Sequence, residues 1–149
     1  MTALPLYIYD GGRRAAGLPK PASDCVARSV AIATQRPYIE VFIELARINA
    51  AMRRTKGRTT AGLSTANHGI YTTSQLFKRY MAKQGFEWTP TMSIGSGCKV
   101  HLAEGELPKG RLVVAVSKHY TAVIDGVVWD THDPCRGGMR CVYGIWRLA

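Results

Sequence analysis

The sequence lacks any long uninterrupted apolar run. A helix that spans a membrane needs about 20 predominantly apolar residues, and here charged residues interrupt the longest apolar stretches within about ten positions. Residues 1–9 also lack the basic start and long apolar region of a secretory signal peptide, and Gly11-Gly12-Arg13-Arg14 follows them directly. We therefore expect no membrane partner and a cytoplasmic protein.

Cysteine is sparse, and the sequence has no Cys-x-x-Cys pair. Four cysteines occur in 149 residues, and cysteines of a cytoplasmic protein are usually reduced. We therefore expect free thiols with chemical or incidental roles rather than a disulfide framework. A zinc site is an alternative, because Cys98-Lys-Val-His101, His132-Asp-Pro-Cys135 and Cys141 offer enough ligands for a tetrahedral zinc ion.

Acidic residues are absent between Leu45 and Phe86, where the sequence has eight Lys or Arg residues. The net charge of +10 is therefore unevenly distributed. Such a segment can bind nucleic-acid phosphates, anionic lipid head groups or an acidic protein partner, although a solvated basic loop has the same composition. Five of the eight basic residues fall within twelve positions: Arg47, Arg53, Arg54, Lys56 and Arg58.

The rest of the composition is that of a globular protein, with 46% apolar and 20% charged residues. The length and the absence of internal repeats indicate one domain over 1–149. Helical patterns precede strand patterns, which predicts an α+β fold with N-terminal helices packed on a C-terminal antiparallel β-sheet. The predicted helices cover 25–34, a segment from Pro37, and Thr72 or Thr73 to Gln84 with a Thr72/Gln75 capping box; the predicted strands cover 4–9 and about 111–117, 119–125, 127–131 and 141–147.

The predicted core combines the apolar stripes of these helices with alternate strand residues. Its members are Val26, Val30, Ile32, Val41, Leu45, Leu76, Phe77, Val113, Val114, Ala122, Ile124, Val127, Trp129 and Trp146.

A β-hairpin near the C-terminus places a histidine beside a carboxylate. Asp125-Gly126 is a strong signal for a two-residue hairpin turn, and apolar strand formers flank it. In this register Thr121 lies opposite Asp130, and His119 lies opposite His132. Side chains alternate between faces along a strand, so His119 and Asp130 become diagonal neighbours on one face. The hairpin therefore predicts a carboxylate that orients an imidazole.

Cys25 follows Ser23 and Asp24, two residues of the kind that cap helices, at the start of the first predicted helix. A helix N-terminus favours negative charge and lowers the pKa of a thiol, and a nearby protonated histidine lowers it further. The backbone N–H groups of that turn could also bind an oxyanion. A small buried residue in an apolar helix is the alternative interpretation of Cys25.

The order of cysteine, histidine and aspartate resembles the papain-like cysteine peptidase superfamily. The similarity is to small bacterial members that trim double-glycine leader peptides, and to uncharacterised bacterial and phage proteins. It rests on Asp24-Cys25, His119-Tyr-Thr-Ala-Val and Gly126-Val-Val-Trp-Asp130. The resemblance implies a papain-like fold with Cys25 as nucleophile, His119 as general base and acid, and Asp130 as the orienting carboxylate.

The resemblance also implies a reaction. A cysteine-dependent hydrolase of this kind, a peptidase or amidase, forms a thioester acyl-enzyme with a peptide or protein substrate and needs no metal or cofactor. Water then releases the acid, whereas an amine in place of water would make the protein an acyltransferase. His132 is expected to line the cleft opposite His119, or to replace it as the base.

One position departs from the family pattern. These enzymes place a glutamine side chain in the oxyanion hole about six residues before the cysteine, and here that position is Pro19. Losing one such donor costs about 2.7–4 kcal/mol of transition-state stabilisation. Lys20, Ser23 and Asn67 are the candidate replacements. Alternatively, the chain is an inactive relative that acts as a basic binding module, with the 45–86 segment contacting nucleic acid or an acidic protein.

Overall fold

Three helices precede most of the sheet, as the sequence pattern predicts. The computed structural model describes residues 2–20, 23–55, 70 and 72–149, without the side chains of 52–55. In this part of the chain the α-helices are α1 (Cys25–Thr34), α2 (Tyr38–Thr55) and α3 (Gln75–Lys83), and a short 3₁₀ helix covers Arg136–Gly138. The apolar run of α1 ends at Gln35, which adopts a left-handed conformation, and Pro37 then precedes α2. No described helix is long and apolar enough to span a membrane.

The start of α3 differs from the prediction. Ser74, rather than Thr72 or Thr73, is the N-cap, and its hydroxyl accepts a hydrogen bond of 3.1 Å from the backbone N–H of Phe77. The predicted capping box of Thr72 with Gln75 is therefore wrong, because Gln75 is already the first helical residue. Three consecutive candidate caps made the sequence signal ambiguous within one turn.

Six strands form one sheet within the described residues: β1 (Leu6–Ile8), β2 (Phe86–Pro90), β3 (Arg111–Val116), β4 (His119–Ile124), β5 (Val127–Asp130) and β6 (Val142–Leu148). Their order is β1-β5-β4-β3-β6-β2. The predicted α+β class is confirmed. The C-terminal strands β3 to β6 pair antiparallel, as expected. The sheet as a whole is mixed, because β1 pairs in parallel with β5 at one edge. The opposite edge strand, β2, was not predicted.

The sheet separates two apolar clusters, because successive side chains on β3 point to opposite faces. The cluster that includes the helices packs Val30, Leu45 and Phe77 with Val113 and Trp146. The second cluster lies on the other face and includes Leu112, Val114, Val123, Val128 and the buried Cys135. The helices therefore hold one face of the sheet and place the N-terminus of α1 near the start of β4.

Most of the predicted core is buried, and four members are only partly so: Leu76, Ile124, Val127 and Trp129. Two of the four, Ile124 and Trp129, line a cavity of about 370 Å³ beside α1. The helix layer does not fill the space over the β4–β5 hairpin, and this explains their incomplete burial.

Candidate active site

The β4–β5 hairpin has the predicted register. Ala122 pairs with Trp129 and Val123 pairs with Val128, which sets Thr121 beside Asp130. Asp125 and Gly126 have φ values of 47° and 80°, the positive values that a tight hairpin turn of this type requires. Because His119 begins β4 and Asp130 ends β5, both side chains lie at the same end of the sheet.

His119 and Asp130 are in direct contact. Nε2 of His119 lies 2.7 Å from Oδ2 of Asp130, and the hydroxyl of Thr121 donates to the same oxygen at 2.7 Å. Burial raises the pKa of the Asp130 carboxyl, but hydrogen bonding and charge interaction with His119 outweigh burial and lower it to about 2. Asp130 is therefore a carboxylate that fixes the imidazole through Nε2 and leaves Nδ1 available to another partner.

Cys25, the first residue of α1, is half-buried and shares a cavity of about 440 Å³ with His119. Burial is the largest influence on its thiol and raises the pKa. Hydrogen bonding and charge interaction with His119, helped by a backbone hydrogen bond from Tyr120, nevertheless leave the pKa below its usual value. The thiol and the imidazole are thus electrostatically coupled.

The coupling also acts on the imidazole. Burial lowers the pKa of His119, but the hydrogen bonds to Asp130 and Cys25 and the charges of both groups raise it to about 9. The direction for His119 is opposite to that for Cys25, as expected when each group favours the charged form of the other. The thiol and the imidazole thus stabilise each other's charged forms.

Arg28 is a functional residue that sequence reasoning missed. It is only 6% exposed, and its Nη2 lies 3.0 Å from Oδ1 of Asp130. Its Nη1 forms an ion pair with Asp24, the residue before Cys25. The available signal was a charged side chain inside the apolar stretch of α1, four residues after Asp24. Arg28 connects the start of the cysteine helix to the carboxylate that holds His119.

Asp24 anchors this connection to the second helix. The hydroxyl of Tyr38 donates to Oδ2 of Asp24 at 2.7 Å, and Nη1 of Arg13 donates to the same hydroxyl at 2.9 Å. All of these side chains are buried. A polar network that runs from the N-terminal loop through α2 to Asp24 thus fixes the backbone at Cys25. Asp24 shows no side-chain cap hydrogen bond, so its role is in the ion-pair network.

Two of the three candidate oxyanion donors lie at the Cys25 cavity. Lys20 and Ser23 line the Cys25 cavity, and both are exposed. Asn67 lies outside the described residues. At Pro19, where the family has its glutamine, the carbonyl accepts a hydrogen bond of 2.7 Å from Nε of Arg13. This position therefore stabilises the N-terminal loop and presents no side-chain donor.

His132 also lines this cavity, with its ring centroid 5.1 Å from that of His119. Its Nδ1 lies 3.9 Å from Oδ1 of Asp130, which is longer than a hydrogen bond. His119, rather than His132, therefore has the carboxylate contact that a base needs. Ligand atoms of His119, Asp130 and His132 lie within 4.8 Å of one another, so the same corner could hold a metal ion.

The prediction that all four cysteines are free thiols is wrong for two of them. Cys98 and Cys141 form a disulfide across 43 residues, while Cys25 and Cys135 are free. The antiparallel bridge between His101 and Cys141 brings the two half-cystines together, a long-range contact that sequence spacing does not reveal. Of the candidate zinc ligands, Cys98, His101 and Cys141 meet here, whereas His132 lies in the Cys25 cavity and Cys135 is buried.

The basic segment is described only in part, and its described basic residues are exposed: Arg47, Lys78, Arg79 and Lys83. Residues 56–69, with Lys56 and Arg58, lie outside the described part of the chain, as do the side chains of Arg53 and Arg54. Of the aromatic side chains in this region that could stack on bases, Phe77, Tyr80 and Phe86 are buried, Trp88 is exposed, and Tyr71 lies outside the described residues.

No protein-family model matches the chain, and neither a curated protein nor a solved structure matches it.

Proposed function

We propose that the protein is a cysteine-dependent hydrolase, a peptidase or amidase with a papain-like arrangement of Cys25, His119 and Asp130. The observation that supports this most strongly is the pair of opposite pKa directions at Cys25 and His119, together with the 2.7 Å contact from His119 to Asp130. A buried structural cysteine normally has a raised pKa, as Cys135 does at about 11. A lowered pKa beside a held imidazole is typical of a nucleophile.

The proposed reaction is acyl transfer through a thioester. The Cys25 thiolate attacks an amide or ester carbonyl and forms a new S–C bond. His119, held through Nε2 by Asp130, gives the Nδ1 proton to the leaving amine or alcohol as the C–N or C–O bond breaks. His119 then takes a proton from water, whose oxygen attacks the thioester carbon. The C–S bond breaks, the acid leaves, and the Cys25 thiolate is restored beside protonated His119.

The oxyanion formed in each attack needs hydrogen-bond donors. The free backbone N–H groups in the first turn of α1, beside Cys25, supply part of this stabilisation. Lys20 and Ser23 reach the same cavity and are the proposed side-chain donors. Because position 19 has a proline in place of the glutamine, we expect modest rates on amides and higher rates on thioesters and activated esters, whose leaving groups need less help.

Acylation by peptide thioesters tests the proposal. Incubation should add one acyl group per protein, detectable by intact mass and mapped to Cys25, and Cys25→Ala should abolish it. His119→Ala should lower the acylation rate at neutral pH by at least a factor of 10², the usual contribution of a general acid–base group. His132→Ala is the matched control and should acylate normally. The assignment would be contradicted if Cys135 were acylated as much as Cys25. It would also be contradicted if His132→Ala lowered the acylation rate as much as His119→Ala.

A further inference from the structure

A second cluster of sulfur and nitrogen atoms lies where the segment before His101 meets the start of β6. Sγ of Cys98 is bonded to Sγ of Cys141 and lies 3.4 Å from Nε2 of His101. His101 is itself the backbone bridge partner of Cys141. The function proposed above uses none of these residues. Two sulfurs and one imidazole nitrogen at this spacing form a set of ligands of the kind that zinc prefers.

The histidine is oriented by a carboxylate. Nδ1 of His101 lies 3.1 Å from Oε1 of Glu106, and the same oxygen accepts a hydrogen bond of 3.2 Å from the His101 backbone N–H. A carboxylate accepts the Nδ1 proton, so this contact leaves Nε2 unprotonated, with its lone pair free on the side of Sγ of Cys98. Metal-bound histidines are commonly held in this way through the ring nitrogen that does not bind the metal.

We propose that the Cys98–Cys141 pair is a redox-gated zinc site, in which the reduced thiols and Nε2 of His101 bind Zn²⁺. A dithiol reductant supplies two electrons and two protons, becomes a disulfide itself and leaves two Cys thiols. Zinc then displaces both thiol protons and forms two Zn–S bonds and one Zn–N bond. In the oxidised protein neither sulfur carries charge, so the disulfide excludes the metal.

The observed spacing suits this geometry. Sulfur and nitrogen atoms bound to one tetrahedral zinc ion, at about 2.3 Å and 2.05 Å, lie about 3.6 Å apart, close to the 3.4 Å between Cys98 and His101. Two zinc-bound thiolates lie about 3.8 Å apart, so the sulfurs must separate on reduction. Cys98 is exposed in a segment without regular structure and can move outward. Solvent on that side supplies water as the fourth ligand.

Zinc binding is measured in Cys25→Ser protein, so that the thiol of the proposed active site cannot contribute. One sample is reduced with dithiothreitol and desalted without oxygen, and one is left oxidised. Competition with a chromophoric zinc chelator should detect one equivalent of zinc in the reduced sample and none in the oxidised sample. Glu106→Gln should weaken binding by 10–100-fold, the usual effect of removing such a partner.

Variants locate the metal. His101→Ala and Cys98→Ser should each remove tight binding, whereas the matched control His132→Ala, which breaks the other group of ligands, should keep one equivalent. Cobalt substitution into the reduced Cys25→Ser protein should give thiolate charge-transfer bands and tetrahedral d–d bands, a result that needs no substitution at the proposed ligands. The proposal would be overturned if the reduced protein bound no zinc or if the cobalt bands did not appear. Loss of zinc binding in His132→Ala would overturn it as well.

Discussion

Nη2 of Arg28 lies 3.0 Å from Oδ1 of Asp130, across 102 positions of sequence. The same guanidinium pairs with Asp24, so one buried side chain holds both the residue before Cys25 and the carboxylate that binds His119. The position of the cysteine relative to the histidine therefore depends on an arginine that contacts neither the thiol nor the imidazole in the described hydrogen bonds. Arg28 is a positioning residue in this account.

Replacing Arg28 with Met tests its role. The change leaves two buried carboxylates, Asp24 and Asp130, without their shared cation, and breaking a buried pair in this way costs about 3–5 kcal/mol. Urea unfolding should show this loss. Arg36→Met is the matched control, because Arg36 also pairs with a carboxylate, Glu44, but at a partly exposed position where such pairs contribute about 0–1 kcal/mol. Equal losses in the two variants would contradict the assignment.

The charge state of His119 predicts how stability varies with pH. The pKa of His119 is about 9 in the folded protein and 6.5 in the unfolded chain, so its protonated form stabilises the fold. That contribution is complete below pH 6.5 and is lost as pH rises through 9. Imidazole NMR signals of His119 should titrate near pH 9. Asp130→Asn should lower this pKa, and a wild-type midpoint near 6.5 would contradict the coupling.

The hydroxyl of Thr121 stabilises the Asp130 carboxylate. Thr121→Val keeps the shape and removes the hydrogen bond to Oδ2, which at a charged acceptor contributes about 1.5–3 kcal/mol. Unfolding in denaturant should show a loss of this size, and the pKa of Asp130 should rise from about 2. Thr89→Val on the exposed strand β2 is the control and should change stability by no more than about 0.5 kcal/mol. An unchanged free energy of unfolding in Thr121→Val would show that this hydrogen bond does not stabilise the carboxylate.

Gly144 on β6 leaves room for the ring of Trp88 on the edge strand β2. A Cβ atom there would lie 2.1 Å from the ring of Trp88, which packs 4.9 Å from Trp146. Gly144→Ala must displace Trp88, and overpacking of this kind costs about 1–3 kcal/mol. Thermal unfolding should show the loss. Adding Trp88→Ala should make the glycine substitution nearly neutral, and a cost that persists in the double variant would show that the clash is not its cause.

Local signals in the sequence predicted much of the site. Asp125-Gly126 fixes the hairpin register, and the register alone places His119 beside Asp130. The start of α1 at Cys25 followed from the capping residues before an apolar run. These features depend on neighbours within a dozen positions, where turn geometry and periodicity determine the structure.

Long-range contacts explain what the sequence did not reveal. Arg28 and Asp130 meet only when α1 packs beside the hairpin, and Cys98 meets Cys141 only through the bridge at His101. The parallel pairing of β1 with β5 likewise depends on which edge of the sheet β1 joins. Strand propensity gives no information about which edge a short strand joins.

The rate of iodoacetamide alkylation at Cys25 against pH, read by peptide mass spectrometry, tests the central claim most directly. Cys135 is an internal control, because burial raises its pKa to about 11. Cys25 should react below pH 8.5, the pKa of a free thiol, because His119 lowers its pKa, and His119→Ala should remove this reactivity. A Cys25 that reacts only above about pH 8.5, or equally in wild type and His119→Ala, would contradict a thiolate–imidazolium pair and the hydrolase proposal with it.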